Sequence, residues 1–166
     1  MPFRCLVLIF LTLPLLAATT STRIFVWSPT RGLVTIAGQP LPNTRVRREA
    51  RVRMNDQQKT YQDETTTDNA GRFAFNALND IIDYDTFLDT QPVVHQRLYI
   101  SVNDKEREGW RNTRTSFDEG RDIWVTTDQY IGDPLIFNCD MDRKPLKQRK
   151  FDGDDSQGLC IWIKKS

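Results

Sequence analysis

One stretch in the first half of the chain constrains the fold more than any other. Within residues 44–54, Thr44, Val46, Ala50, Val52 and Met54 fall on one face, and Arg45, Arg47, Glu49, Arg51 and Arg53 on the other. Arg48 is the one charged residue on the apolar side. A period of two belongs to a strand with one face buried and the other in water. Such a strand cannot stand alone, because its apolar face must be covered by a second layer.

The remaining pattern supplies that layer. Residues 31–36 predict a short strand, ended by the turn Gly38-Gln39-Pro40-Leu41-Pro42-Asn43, where Gly38 tolerates positive φ and the prolines cannot donate to a ladder. Residues 55–58 are polar enough for a hairpin tip, and threonine-rich residues 59–67 read as the returning strand. Asp68-Asn69-Ala70-Gly71 predicts a turn, since Asp and Asn bond their own backbone and Gly71 is permissive. Arg72-Phe73-Ala74-Phe75 then alternates again. Residues 93–102 put Val94, Leu98, Ile100 and Val102 on one face, and 108–115, 123–126, 135–140 and 159–163 add further strands. Residues 79–90 read as a helical turn or ordered loop, and 142–157 as a long charged loop. No long stretch has a period of 3.6. The expected fold is all-β: a seven-or-more-stranded antiparallel β-sandwich with one short helical or ordered-loop insertion. One domain suffices, over residues 22–166.

The first 21 residues read differently. A charged start with Arg4, an apolar run over residues 5–16 and a small, hydroxylated exit at 17–22 have the layout of a secretory signal peptide. The apolar run is shorter than the roughly 20 residues of a membrane-spanning helix. An uncleaved N-terminal anchor is the alternative. Without residues 1–21 the chain keeps about 145 residues, with Lys plus Arg falling from 23 to 22 against 22 acids. That balance argues against general binding to nucleic acid or anionic membrane, which would show as a basic excess.

Export frames the cysteines. Cys5 leaves with the leader, and the pair Cys139 and Cys160 reads as a disulfide, free thiols being the alternative. The pair lacks the CxxC spacing that redox catalysis or zinc binding would suggest.

Two segments carry a resemblance. Gly32-Leu33-Val34-Thr35 with Gly38-Gln39-Pro40-Leu41-Pro42-Asn43-Thr44-Arg45-Val46 resembles the opening of transthyretin-like and carboxypeptidase-regulatory-like domains. Thr66-Thr67-Asp68-Asn69-Ala70-Gly71-Arg72-Phe73-Ala74-Phe75 resembles their hairpin. Pro134-Leu135-Ile136-Phe137-Asn138-Cys139-Asp140 with Gly158-Leu159-Cys160 is similar to the end of an uncharacterised exported Gram-negative family carrying this domain. The resemblance covers about 130 residues and implies a β-sandwich, but no single function, since this superfold serves many. Asn43 stands where the pattern has glycine; asparagine tolerates left-handed φ, so the turn is expected to survive.

Catalytic sets are hard to assemble. His95 is the only histidine, and it lies opposite the apolar face of its predicted strand. Ser28, Ser101, Ser116 and Ser156 lack a nucleophile-elbow pattern. Asp152, Asp154 and Ser156 alternate like calcium ligands, but Gln157 stands where an EF-hand loop needs glycine. The chain therefore reads as a non-enzyme with no cofactor and no metal.

Two features suggest binding instead. Arg45, Arg47, Arg51 and Arg53 share one strand face, either as a charge-guarded exposed face or as a docking stripe for an acidic partner. Ile81, Ile82, Tyr84, Phe87 and Leu88 lie among Asp80, Asp83, Asp85 and Asp89, either capping one end of the sandwich or forming an apolar patch with an acidic rim. The functional expectation is a periplasmic or secreted protein of a Gram-negative bacterium that binds another protein. Its most concrete form is an immunity or inhibitor protein that neutralises a secreted antibacterial toxin by occlusion. An envelope scaffold or accessory module, or a carbohydrate or small-ligand binder, is the alternative.

Overall fold

The computed structural model describes residues 20–54, 57–84, 93–114, 134–149 and 155–163, and every regular element among them is a strand. In chain order these are β1 (Thr20–Trp27), β2 (Thr30–Ile36), β3 (Gln39–Pro40), β4 (Arg45–Met54), β5 (Gln57–Thr66), β6 (Arg72–Phe75) and β7 (Leu78–Tyr84). They continue with β8 (Val93–Val102), β9 (Lys105–Arg114), β10 (Leu135–Asp140), β11 (Leu146–Arg149), β12 (Asp155–Gly158) and β13 (Cys160–Ile163).

The larger sheet runs β11-β12-β9-β8-β4-β5. The smaller runs β13-β10-β2, with β3 and β6 sharing the far side of β2. A ribbon of β1 and β7 stands beside them. The architecture is a β-sandwich. Val46, Ala50, Val52, Val94, Leu98, Ile100 and Trp110 of the larger sheet bury against Val34, Phe73, Phe137 and Cys139 of the smaller. The layers interlock at Trp110, whose ring meets Phe137 at 5.0 Å and Trp27 of β1 at 5.9 Å. Offset or edge-on aromatic contacts at such distances add to the burial they bring.

The turns follow the residues that make them. Asn43 has φ 52° and survives in the left-handed region, as asparagine allows. Gly71 has φ 73°, and Asp68 Oδ1 accepts the backbone N–H groups of Ala70 and Arg72 at 2.9 and 2.8 Å. Asn103 and Asp104, both at positive φ, form the two-residue tip between β8 and β9, which lengthens the expected strand 108–115 back to Lys105.

Two expectations need correction. Residues 78–84 are strand β7 and not a helical turn or loop, because β1 pairs with them from Thr20↔Tyr84 to Trp27↔Leu78. The sequence of that partner strand, TSTRIFVW, is rich in β-formers. Residues 142–157 are not one long loop, since β11 and β12 form a hairpin within them. The expected all-β sandwich is what forms, its described strands pairing antiparallel everywhere except between β2 and β10, which run parallel. The expected strand at 123–126 lies outside the described residues.

Arg48, the intruder in the alternating strand, is buried to 1 % exposure. Asp63 lies directly opposite on β5, and its two carboxylate oxygens accept Nε and Nη2 of Arg48 at 2.6 and 2.8 Å. The guanidinium also donates to the carbonyl oxygen of Asn76 at 2.7 Å and lies 4.5 Å from the Phe75 ring centroid. A buried cation persists only where its donors are met.

Gly32 of β2 is covered by the ring of Phe73 from its cross-strand partner position. A Cβ at residue 32 would sit 2.3 Å from Phe73 Cε1 and 3.2 Å from the carbonyl oxygen of Phe137. Gly32→Val is expected to push the Phe73 ring from its site and lower stability by about 1–3 kcal/mol, read by chemical denaturation. Gly38→Ala, in open space, should show only its backbone cost.

Candidate recognition face

The alternation that turns Val34, Phe73 and Phe137 inward turns their neighbours outward. Register then fixes two rungs across the smaller sheet. Ile136 of β10 lies opposite Ile163 of β13 and Arg31 of β2, and Arg31 opposite Ala74 of β6. In the next rung Asn138 lies opposite Ile161 and Leu33, and Leu33 opposite Arg72. Each rung crosses four strands, about 14 Å at the usual strand spacing. A shallow depression of about 600 Å³ lies over these residues apart from Ile161, with Thr65 and Thr66 of β5 at its margin.

The face is chemically two-sided. Its floor is aliphatic: Leu33, Ile136 and Ile161 are half-buried, and Ile163 is 46 % exposed. Arg31 and Arg72 are exposed at adjoining positions, diagonal neighbours being about 7–8 Å apart. Neither arginine forms an ion pair among the described residues. Asp68 also lines the depression, with one carboxylate oxygen engaged by the turn it caps. The arrangement offers apolar area beside two guanidinium groups.

The outer face of the larger sheet contrasts with it. Arg45 pairs with Glu64 at 2.7 Å, and Arg51 with Glu49 at 2.9 Å. Arg47 binds both oxygens of Glu106 at 2.9 and 2.7 Å, reaches Glu49 at 3.2 Å and lies 4.2 Å over the Tyr99 ring. Arg97 and Arg111 flank Glu108. Of the expected docking stripe, three arginines are thus engaged by local acids. Arg53 is exposed, with no ion pair among the described residues.

This lattice has a pH consequence. The hydrogen bonds from Arg47 hold the Glu106 carboxyl below its ordinary 4.5, the outcome of attraction over burial. A depressed folded value stabilises the fold above the ordinary glutamate range, and that contribution is lost as pH falls through the lowered value. Glu106→Gln should therefore leave less acid-dependent loss of stability below about pH 4.5, measured by denaturation across pH; an unchanged acid limb would refute the assignment.

The other expected site residues are placed as follows. Ile81, Ile82 and Tyr84 occupy β7, opposite Arg23, Thr22 and Thr20, whereas Phe87 and Leu88 lie outside the described residues. His95 is exposed on the larger sheet, its Nδ1 3.0 Å from Thr113 Oγ1. Asp152 and Asp154 lie outside the described residues, and Asp155 begins β12. Among the described residues, no three groups of metal-ligating type gather. Lys59, Tyr61 and Asp80 form a hydrogen-bonded cluster tying β5 to β7. Burial first, and then the Asp80 bond, push the Tyr61 phenol above its ordinary 10.0, so it stays protonated and serves as a tie.

Cys139 and Cys160 come together as a disulfide, at directly opposite positions on β10 and β13. The bridge fixes β13, which carries Ile161 and Ile163, to the strand carrying Ile136 and Asn138. The molecule is thus a disulfide-stapled β-sandwich with one charge-laced outer face and one aliphatic, cationic outer face. It belongs to the family described as domain of unknown function (DUF6795), which matches residues 30–144. The match runs from β2 through β10, leaving β1, the β11–β12 hairpin and β13 outside it. A comparison with curated proteins finds no match.

Proposed function

We propose that this chain is a non-catalytic, exported protein-binding β-sandwich whose smaller sheet presents the recognition face. The observation carrying this reading is the half-buried to exposed aliphatic row of Leu33, Ile136, Ile161 and Ile163 beside Arg31 and Arg72, which form no ion pair among the described residues. Interface cores favour apolar area, and arginine is favoured among the residues that dominate binding. Export is supported by the Cys139–Cys160 bridge, since disulfides persist in oxidising compartments. Among the described residues no helix is long and apolar enough to cross a membrane, which is compatible with that reading. The resemblance to transthyretin-like domains supports a rigid frame that presents surfaces.

The most concrete form is an immunity or inhibitor protein of the Gram-negative periplasm, occluding the active cleft of a secreted toxin. The test passes a periplasmic extract over the immobilised, oxidised chain and over a variant with Leu33→Asp and Ile163→Asp. A discrete partner retained by the parent and lost by the variant is expected. Equal retention by both, or none by either, would refute the assignment of this face. If the partner is a toxin, coexpression with the chain rescues growth; failure to rescue removes the immunity version.

A further inference from the structure

Resting on that reading, we infer that the smaller sheet's outer face recognises an extended, acidic segment of its partner, whose side chains turned toward the sheet are aliphatic at one end and carboxylates at the other. The argument starts from charge complementarity. Arg31 and Arg72 adjoin on this face and have no carboxylate partner among the described residues, whereas Arg45, Arg47, Arg48, Arg51, Arg97 and Arg111 all do. A guanidinium binds a carboxylate through a planar pair of donors, so two adjoining ones orient as well as attract an acidic segment.

Width and texture select the rest. The depression is shallow and spread over four strands, the shape for a strand-like segment laid across the sheet and not for a compact ligand. In an extended segment every second side chain points the same way, so of those turned toward the sheet the ones over β13 and β10 can be aliphatic and meet Ile163 and Ile136, while the ones at the β2–β6 side can be carboxylates that reach Arg31 and Arg72. Two rival occupants fit less well. A second copy packed face to face by a two-fold axis would either oppose the arginines of the two copies or seat them on the other copy's aliphatic floor, and neither arrangement meets their charge. A single-stranded nucleic acid needs aromatic platforms for its bases; the rings lining this depression, Phe73 and Phe137, are buried at 4 % and 1 % exposure.

The test uses the full oxidised chain and a short fluorescent glutamate–valine peptide, Val-Ser-Val-Ser-Glu-Ser-Glu, whose valines and glutamates share one face when extended, read by anisotropy. Binding is expected, weakening with salt and falling about tenfold or more when Arg31→Glu and Arg72→Glu are combined. That double variant should gain affinity for the matching lysine–valine peptide, a reversal that lost folding cannot imitate. A glutamate–serine peptide should bind weakly, because the floor has nothing to cover. The inference is overturned if the glutamate–valine peptide fails to bind, or binds parent and double variant equally. It is overturned too if the chain self-associates through a contact abolished by Ile163→Asp, or if an oligonucleotide competes at this face. Capture of a periplasmic protein indifferent to the arginine reversal would leave the protein-binding reading and remove this one. Peptide binding by a chain that captures no periplasmic protein would instead contradict the broader reading.

Discussion

Replacing Asp63 by alanine is expected to destabilise the fold by about 3 kcal/mol, measured by chemical denaturation. Arg48 would then keep its charge in a site with 1 % exposure, with only carbonyl oxygens to accept its donors. The reverse substitution should cost less. Arg48→Met keeps a long apolar side chain against Phe75 and Trp27, and the carboxylate left behind is 40 % exposed and can be met by water. Its cost is the orphaned carbonyl of Asn76 and imperfect packing, about 1–2 kcal/mol. The inequality between the two variants is the informative result. Equal losses, or a larger loss from Arg48→Met, would mean that the pair contributes by some route other than relief of a buried charge.

Loss of the Cys139–Cys160 bridge has an effect of similar size. The bond closes a segment with a sequence separation of 21, worth about 3 kcal/mol through the entropy of the unfolded chain. Cys139→Ala with Cys160→Ala should therefore lower the melting temperature by about 10 °C, and a thiol reductant should lower that of the parent similarly. Both cysteines are buried, at 0 % and 2 % exposure, so the alanine pair also removes packed sulfur from the core. Because β13 holds Ile161 and Ile163, reduction should also weaken whatever binds the smaller sheet's outer face. No change on reduction would contradict the bridge and return the pair to free thiols.

Local pattern decides which strands are legible in the sequence. Residues 44–54 alternate so cleanly that strand, face and orientation follow from them, and β6 and β10 were read with the bounds the structure has. The strand β7 resisted the same reading. Its LNDIIDY has no clean alternation, and pairing with β1, remote in sequence, makes it a strand. Long-range pairing overrides local preference in this way. The hairpin of β11 and β12 was hidden for a similar reason, since Leu146-Lys147-Gln148-Arg149 carries almost no apolar signal.

The apolar outer face of the smaller sheet was present in the sequence as a local signal. Ile136 beside Phe137, Leu33 beside Val34, and Ile161-Trp162-Ile163 are consecutive apolar residues, where a half-solvated strand would alternate. Runs of that kind mean that both faces of a strand are apolar. One face here fills the core, and the other has no covering among the described residues. What no local pattern could supply was the arrangement, because the parallel pairing of β2 with β10 joins segments about a hundred residues apart. The arginine stripe on β4 was legible as a stripe, but its neutralisation was not. Glu64 and Glu106 come from β5 and β9, brought alongside Arg45 and Arg47 by the sheet.

Placing a photo-reactive amino acid at residue 33, and separately at His95 on the opposite outer face, tests the central claim most directly. On irradiation in living cells, the probe at residue 33 should join the chain to one discrete envelope protein, and the probe at residue 95 should not. Crosslinks from residue 95 alone, or a chain recovered with neither probe attached to any envelope protein, would contradict the account.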